Sequence, residues 1–214
     1  MQSTIGNAAT VGRGEHAAFV QRWAARVSSP IERSRNALLL IGPPGTGKTM
    51  IARAIATQAQ PFNSNSWEHV YASWMCSGIY GLNHHTTLDR PFRAPHHTCS
   101  TVAMIGYGDN RSRPGEVSLA HGGVLLLDEV CEFRRPTIEA AVVALSECVS
   151  RLTADDGSHV HYPSEALLIA TASPCPCGWA GTARQCRCSA DAIARYWARL
   201  APLVRLRPCV VSVA

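Results

Sequence analysis

The apolar run Ala37-Leu38-Leu39-Leu40-Ile41 passes directly into Gly42-Pro43-Pro44-Gly45-Thr46-Gly47-Lys48-Thr49, and Met50-Ile51-Ala52-Arg53-Ala54-Ile55-Ala56 follows with helix formers at helical spacing. A buried strand, a glycine-rich loop and a helix in immediate succession restrict the fold to the α/β class. In that arrangement the loop's backbone N–H groups and the positive end of the helix dipole converge on phosphate oxygens. Residues Gly42, Pro43, Pro44, Gly45, Thr46, Gly47, Lys48, Thr49 and Met50 are therefore read as the cradle of a nucleoside triphosphate. Lys48 is expected to reach the outer phosphates as a point charge, and the Thr49 hydroxyl to take one position on Mg²⁺.

A second short apolar run, Val124-Leu125-Leu126-Leu127, ends in Asp128-Glu129, the pattern of a strand buried on both faces of a parallel sheet. A helix is predicted over 136–149 with proline in its first turn, and a hairpin-like stretch carrying Asp155-Asp156-Gly157 leads to another buried strand over 166–171. Alternation of strands and helices implies a doubly wound parallel sheet with ligands at the carboxyl ends of its strands. Asp128 and Glu129 then arrive at the same edge as the phosphate loop. Asp128 suits the Mg²⁺ that bridges the phosphates, and Glu129 suits orientation and deprotonation of an attacking water.

Around this core, residues 1–13 read as a loose segment, 15–27 as an amphipathic helix ended by Ser28-Ser29-Pro30, and 14–214 as one domain. Residues 61–114, rich in Asn, Ser, Thr, His, Gly and Pro, read as an insertion with one strand-like run, Val70-Tyr71-Ala72-Ser73-Trp74. The 214 residues are 46% hydrophobic and 16% charged, as expected of a folded domain. No apolar run approaches the roughly 18 residues of a membrane span, and the N-terminus lacks a signal core, so a cytoplasmic protein without membrane contact is expected. The net charge of +5 is compatible with a polyanionic partner, although the arginines are scattered.

Of nine cysteines, Cys76, Cys99, Cys131, Cys148 and Cys209 stand alone and read as small buried hydrophobes. The other four form Cys175-Pro176-Cys177 and Cys186-Arg187-Cys188, separated by eight residues within a 174–189 loop. Four such thiolates suffice for a tetrahedral Zn²⁺ site, with Gly178 and Gly181 supplying turns; reduced unligated thiols and a disulfide are the alternatives. The pairs His84-His85 and His96-His97 admit a transition metal or ordinary hydrogen-bonded imidazoles.

The run from about Gly14 to about Leu203 resembles the magnesium-chelatase I-subunit group of AAA+ ATPases, and within it the competence-helicase branch. The resemblance rests on the phosphate loop through Met50, on Arg90-Pro91-Phe92-Arg93-Ala94-Pro95-His96-His97, on the 115–129 run Gly-Glu-Val-Ser-Leu-Ala-His-Gly-Gly-Val-Leu-Leu-Leu-Asp-Glu, and on Pro174-Cys175-Pro176-Cys177-Gly178. It implies a AAA+ core with a hairpin-bearing insertion, a homo-oligomeric ring with ATP sites between subunits, and hydrolysis coupled to work on a partner, DNA in the competence-helicase branch. Among the scattered arginines, Arg90, Arg93, Arg111 and Arg113 of the insertion are the candidate DNA contacts, and the resemblance implies that 92–97 is the junction between insertion and core. The chain departs from the family where hydrolysis is completed. Ser173 stands at the sensor position usually held by Asn, and Leu203-Val204-Arg205-Leu206-Arg207 keeps no arginine in the finger register. Because the chain stops at Ala214, the helical lid is expected to be absent. A nucleotide-gated binding module with little turnover, and a chelatase subunit acting on a porphyrin, are the alternative functions.

Overall fold

The computed structural model describes residues 9–29, 37–62, 64–78, 89–108, 112–154 and 156–213. In chain order the strands are β1 (Ala9–Val11), β2 (Ala37–Ile41), β3 (Phe92–Arg93), β4 (Gly106–Tyr107), β5 (Arg113–Pro114), β6 (Val124–Leu127), β7 (Val149–Thr153), β8 (His159–Pro163), β9 (Leu167–Ala172) and β10 (Cys209–Val213). The α-helices are α1 (His16–Ser28), α2 (Lys48–Gln58), α3 (Ser64–Ser77), α4 (Thr101–Ile105), α5 (Glu116–Leu119), α6 (Arg135–Glu147) and α7 (Ala190–Ala198). Six strands form one wholly parallel sheet in the order β1-β10-β2-β9-β6-β3, and β4-β5 and β7-β8 are separate antiparallel hairpins.

The central strands are continuous apolar runs because both faces of the sheet are covered. Leu39, Ile41, Leu125, Leu127, Leu168 and Ala170 pack with Ile138, Ala141, Val142 and Leu145 of α6 and with Tyr196 of α7. Their strand neighbours Leu38, Leu40, Val124, Leu126, Leu167 and Ile169 face the other way, against Phe19, Trp23 and Val27 of α1 and Ile51 and Ile55 of α2. Period-2 alternation thus feeds two cores from the same three strands. Leu38, Leu40, Leu125, Leu127, Leu167 and Ile169 are all 0% exposed. Each such side chain contributes about 1.5–3 kcal/mol, enough in sum to fix where the strands end.

Four expectations are revised. Of the five single cysteines only Cys131 is buried, while Cys76 and Cys209 are exposed and Cys99 and Cys148 lie between. Val70-Tyr71-Ala72-Ser73-Trp74 lies inside α3, not in a strand. Its aromatic and β-branched composition suggests β structure, but Val70 and Ser73 are buried three residues apart, and Trp74 Nε1 donates to the Leu119 carbonyl at 3.1 Å. Ala9–Val11, read as part of a loose segment, pairs with β10 as the edge strand. The insertion is not wholly outside the sheet, since its β3 pairs with β6. The hairpin read around 155–157 joins β7 to β8, with Asp156 Oδ1 accepting from Ser158 N at 2.8 Å; Asp155 lies outside the described residues. Among the described residues no helix is long and apolar enough to cross a membrane.

The strand order brings the end of β10 against the start of the phosphate loop. A Cβ built on Gly42 would stand 2.3 Å from the Val213 carbonyl oxygen, a backbone atom that cannot swing away. Gly42→Ala is therefore expected to destabilise the chain by about 1–3 kcal/mol in urea denaturation, as overpacking does. An unchanged midpoint would show that β10 does not press on the loop.

Candidate functional site

The loop after β2 is tied at both ends. Gly42 N donates to Ala172 O of β9 at 3.2 Å, and Gly47, with φ of 84°, caps α2, where Ile51 N donates to Gly47 O at 2.9 Å. Gly47 sits in the left-handed region that glycine enters without penalty. Thr46 Oγ1 donates to Pro43 O at 3.0 Å and tightens the turn. Lys48 is 6% exposed and folds back over the loop, donating to Gly42 O at 2.8 Å and Pro43 O at 3.0 Å. Burial pulls its pKa below the ordinary lysine value, while the neighbouring Glu129 and Asp128 charges pull it back up. Met50, 75% exposed, turns its side chain to solvent, so only its backbone can serve a ligand at the loop.

The second half of the site is held on β6 and β9. Thr49 Oγ1 lies 2.9 Å and 3.1 Å from the two carboxylate oxygens of Asp128. The carboxylate also accepts from Thr171 Oγ1 at 2.6 Å, and the same hydroxyl accepts from Glu129 N at 2.8 Å. Thr171 thereby fixes side chain and backbone of two successive acidic residues with one group. Glu129 needs this support because its φ of 50° and ψ of 56° are left-handed, a conformation costing a non-glycine residue roughly 1–2 kcal/mol. Its carboxylate accepts from Ser173 Oγ at 3.3 Å, and Ser173 N donates to the Tyr196 hydroxyl at 3.1 Å. Burial, with Cys131 beside it, raises the Tyr196 pKa, and burial pushes the Cys131 thiol up to about 12, which keeps both neutral.

The structure thus brings together the phosphate loop, Asp128, Glu129 and Ser173 at one sheet edge. The sequence reading missed Thr171 and Tyr196. A polar residue in the fully buried run Leu-Leu-Ile-Ala-Thr-Ala was the available signal for the first. Among the described residues, the metal-ligating side chains that converge in a group of three or more are Cys175, Cys177, Cys186 and Cys188. His96 and His97 stack on each other, rings 3.9 Å apart, and His96 Nδ1 pairs with Thr98 Oγ1 at 2.8 Å. His84, His85 and Arg111 lie outside the described residues.

Two of the candidate DNA contacts do other work. Arg93 makes a bidentate ion pair with Glu116, at 2.7 and 2.8 Å, joining β3 to α5. Arg90 donates to the carbonyls of Gln60, Gly122 and Ser28 and covers the Phe62 ring. Both guanidinium groups fasten the insertion to the core, whereas Arg113 is exposed. Arg205 and Arg207 are exposed as well, and Arg205 stands 4.0 Å from Glu147.

Residues 20–207 match the family model described as magnesium chelatase, subunit ChlI. The chain belongs to this family. It is 37% identical over 185 residues to the competence protein ComM of Haemophilus influenzae, covering 84% of this chain and 35% of that protein. It is 40% identical over 172 residues to the uncharacterized protein YifB of Escherichia coli, covering 76% and 31%. The chain spans about a third of the length of the curated relatives it matches. Among solved structures it is similar in fold to the complex of BchI and BchD of magnesium chelatase, with a TM-score of 0.56 and 15% identity over 95% of this chain and 59% of that one. The ADP complex of NtrX from Brucella abortus gives 0.52 and 20% over 94% and 35%. The parallel sheet and its flanking helices are the fold that this chain shares with these neighbours.

Thr171→Val keeps the branched shape of the side chain but removes both of its hydrogen bonds. It is expected to cost about 1–3 kcal/mol in chemical denaturation, since the Glu129 amide and the Asp128 carboxylate each lose a buried partner. Stability equal to the parent's would mean that Thr171 does not hold the acidic pair.

Proposed function

We propose that this chain is the nucleotide-binding core of a Mg²⁺-dependent ATPase whose hydrolysis is coupled to remodelling of DNA or of a protein–DNA complex. The observation that carries this reading is the convergence of the 42–49 loop, the Thr49–Asp128 pair and the Glu129–Ser173 pair on one edge of the sheet. ATP phosphates would take the loop amides from Gly45 to Met50, and Lys48 would exchange its two carbonyl partners for phosphate oxygens. Thr49 and Asp128 would hold Mg²⁺ between the outer phosphates. Glu129 would accept a proton from the water that attacks the γ-phosphorus in line as ADP leaves, with the Ser173 hydroxyl aiming its carboxylate.

A homo-oligomeric ring with ATP bound between subunits is the assembly we assign. The similarity to a BchI–BchD complex supports assembly. The cytoplasm is the compartment we assign, and there the nine cysteines would stay reduced. A nucleotide-gated binding module is the second reading, favoured by the short Ser173 side chain, which spends its hydroxyl on Glu129 itself. Action on a porphyrin, as the family description suggests, is the third; ATP-dependent Mg²⁺ insertion into a porphyrin would single it out.

Lys48→Ala is expected to weaken ATP binding about tenfold to a hundredfold, the loss of a charge-assisted contact worth about 1.5–3 kcal/mol. Glu129→Gln is expected to bind ATP normally yet release phosphate about 10²–10⁴-fold more slowly. Equilibrium binding beside steady-state phosphate release tests both, and equal loss of binding in the two variants would sink the assignment. Tight binding with no turnover in the parent would favour the gated module.

DNA binding is expected to be sequence-tolerant and to fall steeply with salt, resting on a net charge of +5 and exposed side chains such as Arg113 rather than on base-reading groups. Fluorescence anisotropy on unrelated duplexes at several salt concentrations measures this. A strong preference for one sequence would contradict it.

A further inference from the structure

We infer that Cys175, Cys177, Cys186 and Cys188 form a closed tetrathiolate site for one Zn²⁺, and that the ion clips the end of β9 to the start of α7 against the phosphate loop. The four sulfurs lie within 4.8 Å of one another, with Cys175–Cys177 at 3.4 Å and Cys175–Cys186 and Cys177–Cys186 both at 3.6 Å. Four thiolates at about 2.3 Å around a tetrahedral zinc have sulfur–sulfur edges of about 3.8 Å, so the cluster already has the size of a coordination shell. A disulfide would draw two of them to about 2.0 Å, and all four are free.

Two features set the cluster apart from four thiols that happen to meet. Backbone amides are aimed at the sulfurs, Ala180 N at Cys175 Sγ from 3.3 Å and Cys188 N at Cys186 Sγ from 3.4 Å. Sulfur accepts such bonds more strongly as thiolate than as thiol, and four thiolates this close together would need a cation between them. The segment 173–189 also has no helix or strand, and its buried residues are Ser173, Cys175 and Gly178. A segment of that length without regular structure or apolar burial needs another source of folding energy, which metal ligation supplies.

The ion's position gives it a second consequence. Cys175 follows Ser173 by two residues, and Cys188 directly precedes Ser189, whose Oγ caps α7 by accepting from Ala192 N at 3.2 Å. Helix α7 in turn presents the Tyr196 hydroxyl to Ser173 N at 3.1 Å. Between the two cysteine pairs, the Gly178 Cα lies so near the loop that an added Cβ would be 2.9 Å from Pro44 Cδ. The zinc clip is therefore a positioning device for Ser173 and the phosphate loop. That positional role rests on the nucleotide-site reading, whereas the metal site does not.

The test uses the full chain, expressed with zinc in the medium and purified without chelator. Elemental analysis is expected to give one zinc per chain, and Co²⁺ exchange the visible d–d and thiolate charge-transfer bands of tetrahedral tetrathiolate coordination. Cys186→Ser with Cys188→Ser is expected to lose the zinc and lower the unfolding temperature. Chelation of the parent is expected to speed amide hydrogen exchange over 174–189 and over 42–49 together. Absence of stoichiometric zinc with no tetrathiolate cobalt spectrum overturns the site, as does zinc retained by the double variant. Should that variant not fold, the stoichiometry and cobalt spectrum of the parent decide alone. Exchange over 42–49 that ignores chelation overturns the clip, and ATP affinity, measured separately on the zinc-loaded chain, reports on the nucleotide reading alone.

Discussion

The parallel pairing of β9 between β2 and β6 is the constraint from which the site follows. Its register sets Ile41 opposite Ala172 and Leu127 opposite Ala170, so three chain segments leave the sheet at one edge within a residue or two of each other. The phosphate loop leaves from the first, Asp128 and Glu129 from the second, and Thr171 and Ser173 from the third. A slip of one residue would turn each buried leucine to the opposite face, and both cores resist it. Hydrophobic burial on the two faces thus decides, at a distance, the positions of polar groups that touch neither.

Those polar groups depend on one another more than their separation in sequence suggests. The Thr171 hydroxyl reaches back 43 residues to Asp128, and the Tyr196 hydroxyl holds the Ser173 amide from 23 residues away. The insertion is fastened by the same kind of long-range bond, Arg90 donating to carbonyls on three separate segments. Backbone carbonyls at loop ends have no ladder partner, and a planar guanidinium with five donors satisfies several at once.

What the sequence disclosed follows from how local each signal is. The strands β2, β6 and β9 were legible because continuous apolar runs bounded by glycine or acidic residues have few other readings. The phosphate loop and the Asp128-Glu129 pair were legible because each is contiguous. Strand β3, two residues long, has no period to detect, and β1 lies in a small, polar stretch; both are strands only because a neighbour offers them a ladder. Helix α3 was misread because aromatic and β-branched residues speak for strand whenever tertiary packing is unknown. Thr171 and Tyr196 were missed for the opposite reason, since each looks like a filler of its own element until the fold brings its hydroxyl to another.

The left-handed backbone at Glu129 carries an implication for how such a position changes over time. Glycine or asparagine would sit there with less strain, so drift under selection for stability alone leads away from the carboxylate. A glutamate in that conformation is held against the folding preference of its own peptide unit, and in a descendant not selected for that carboxylate this residue would be among the first to go.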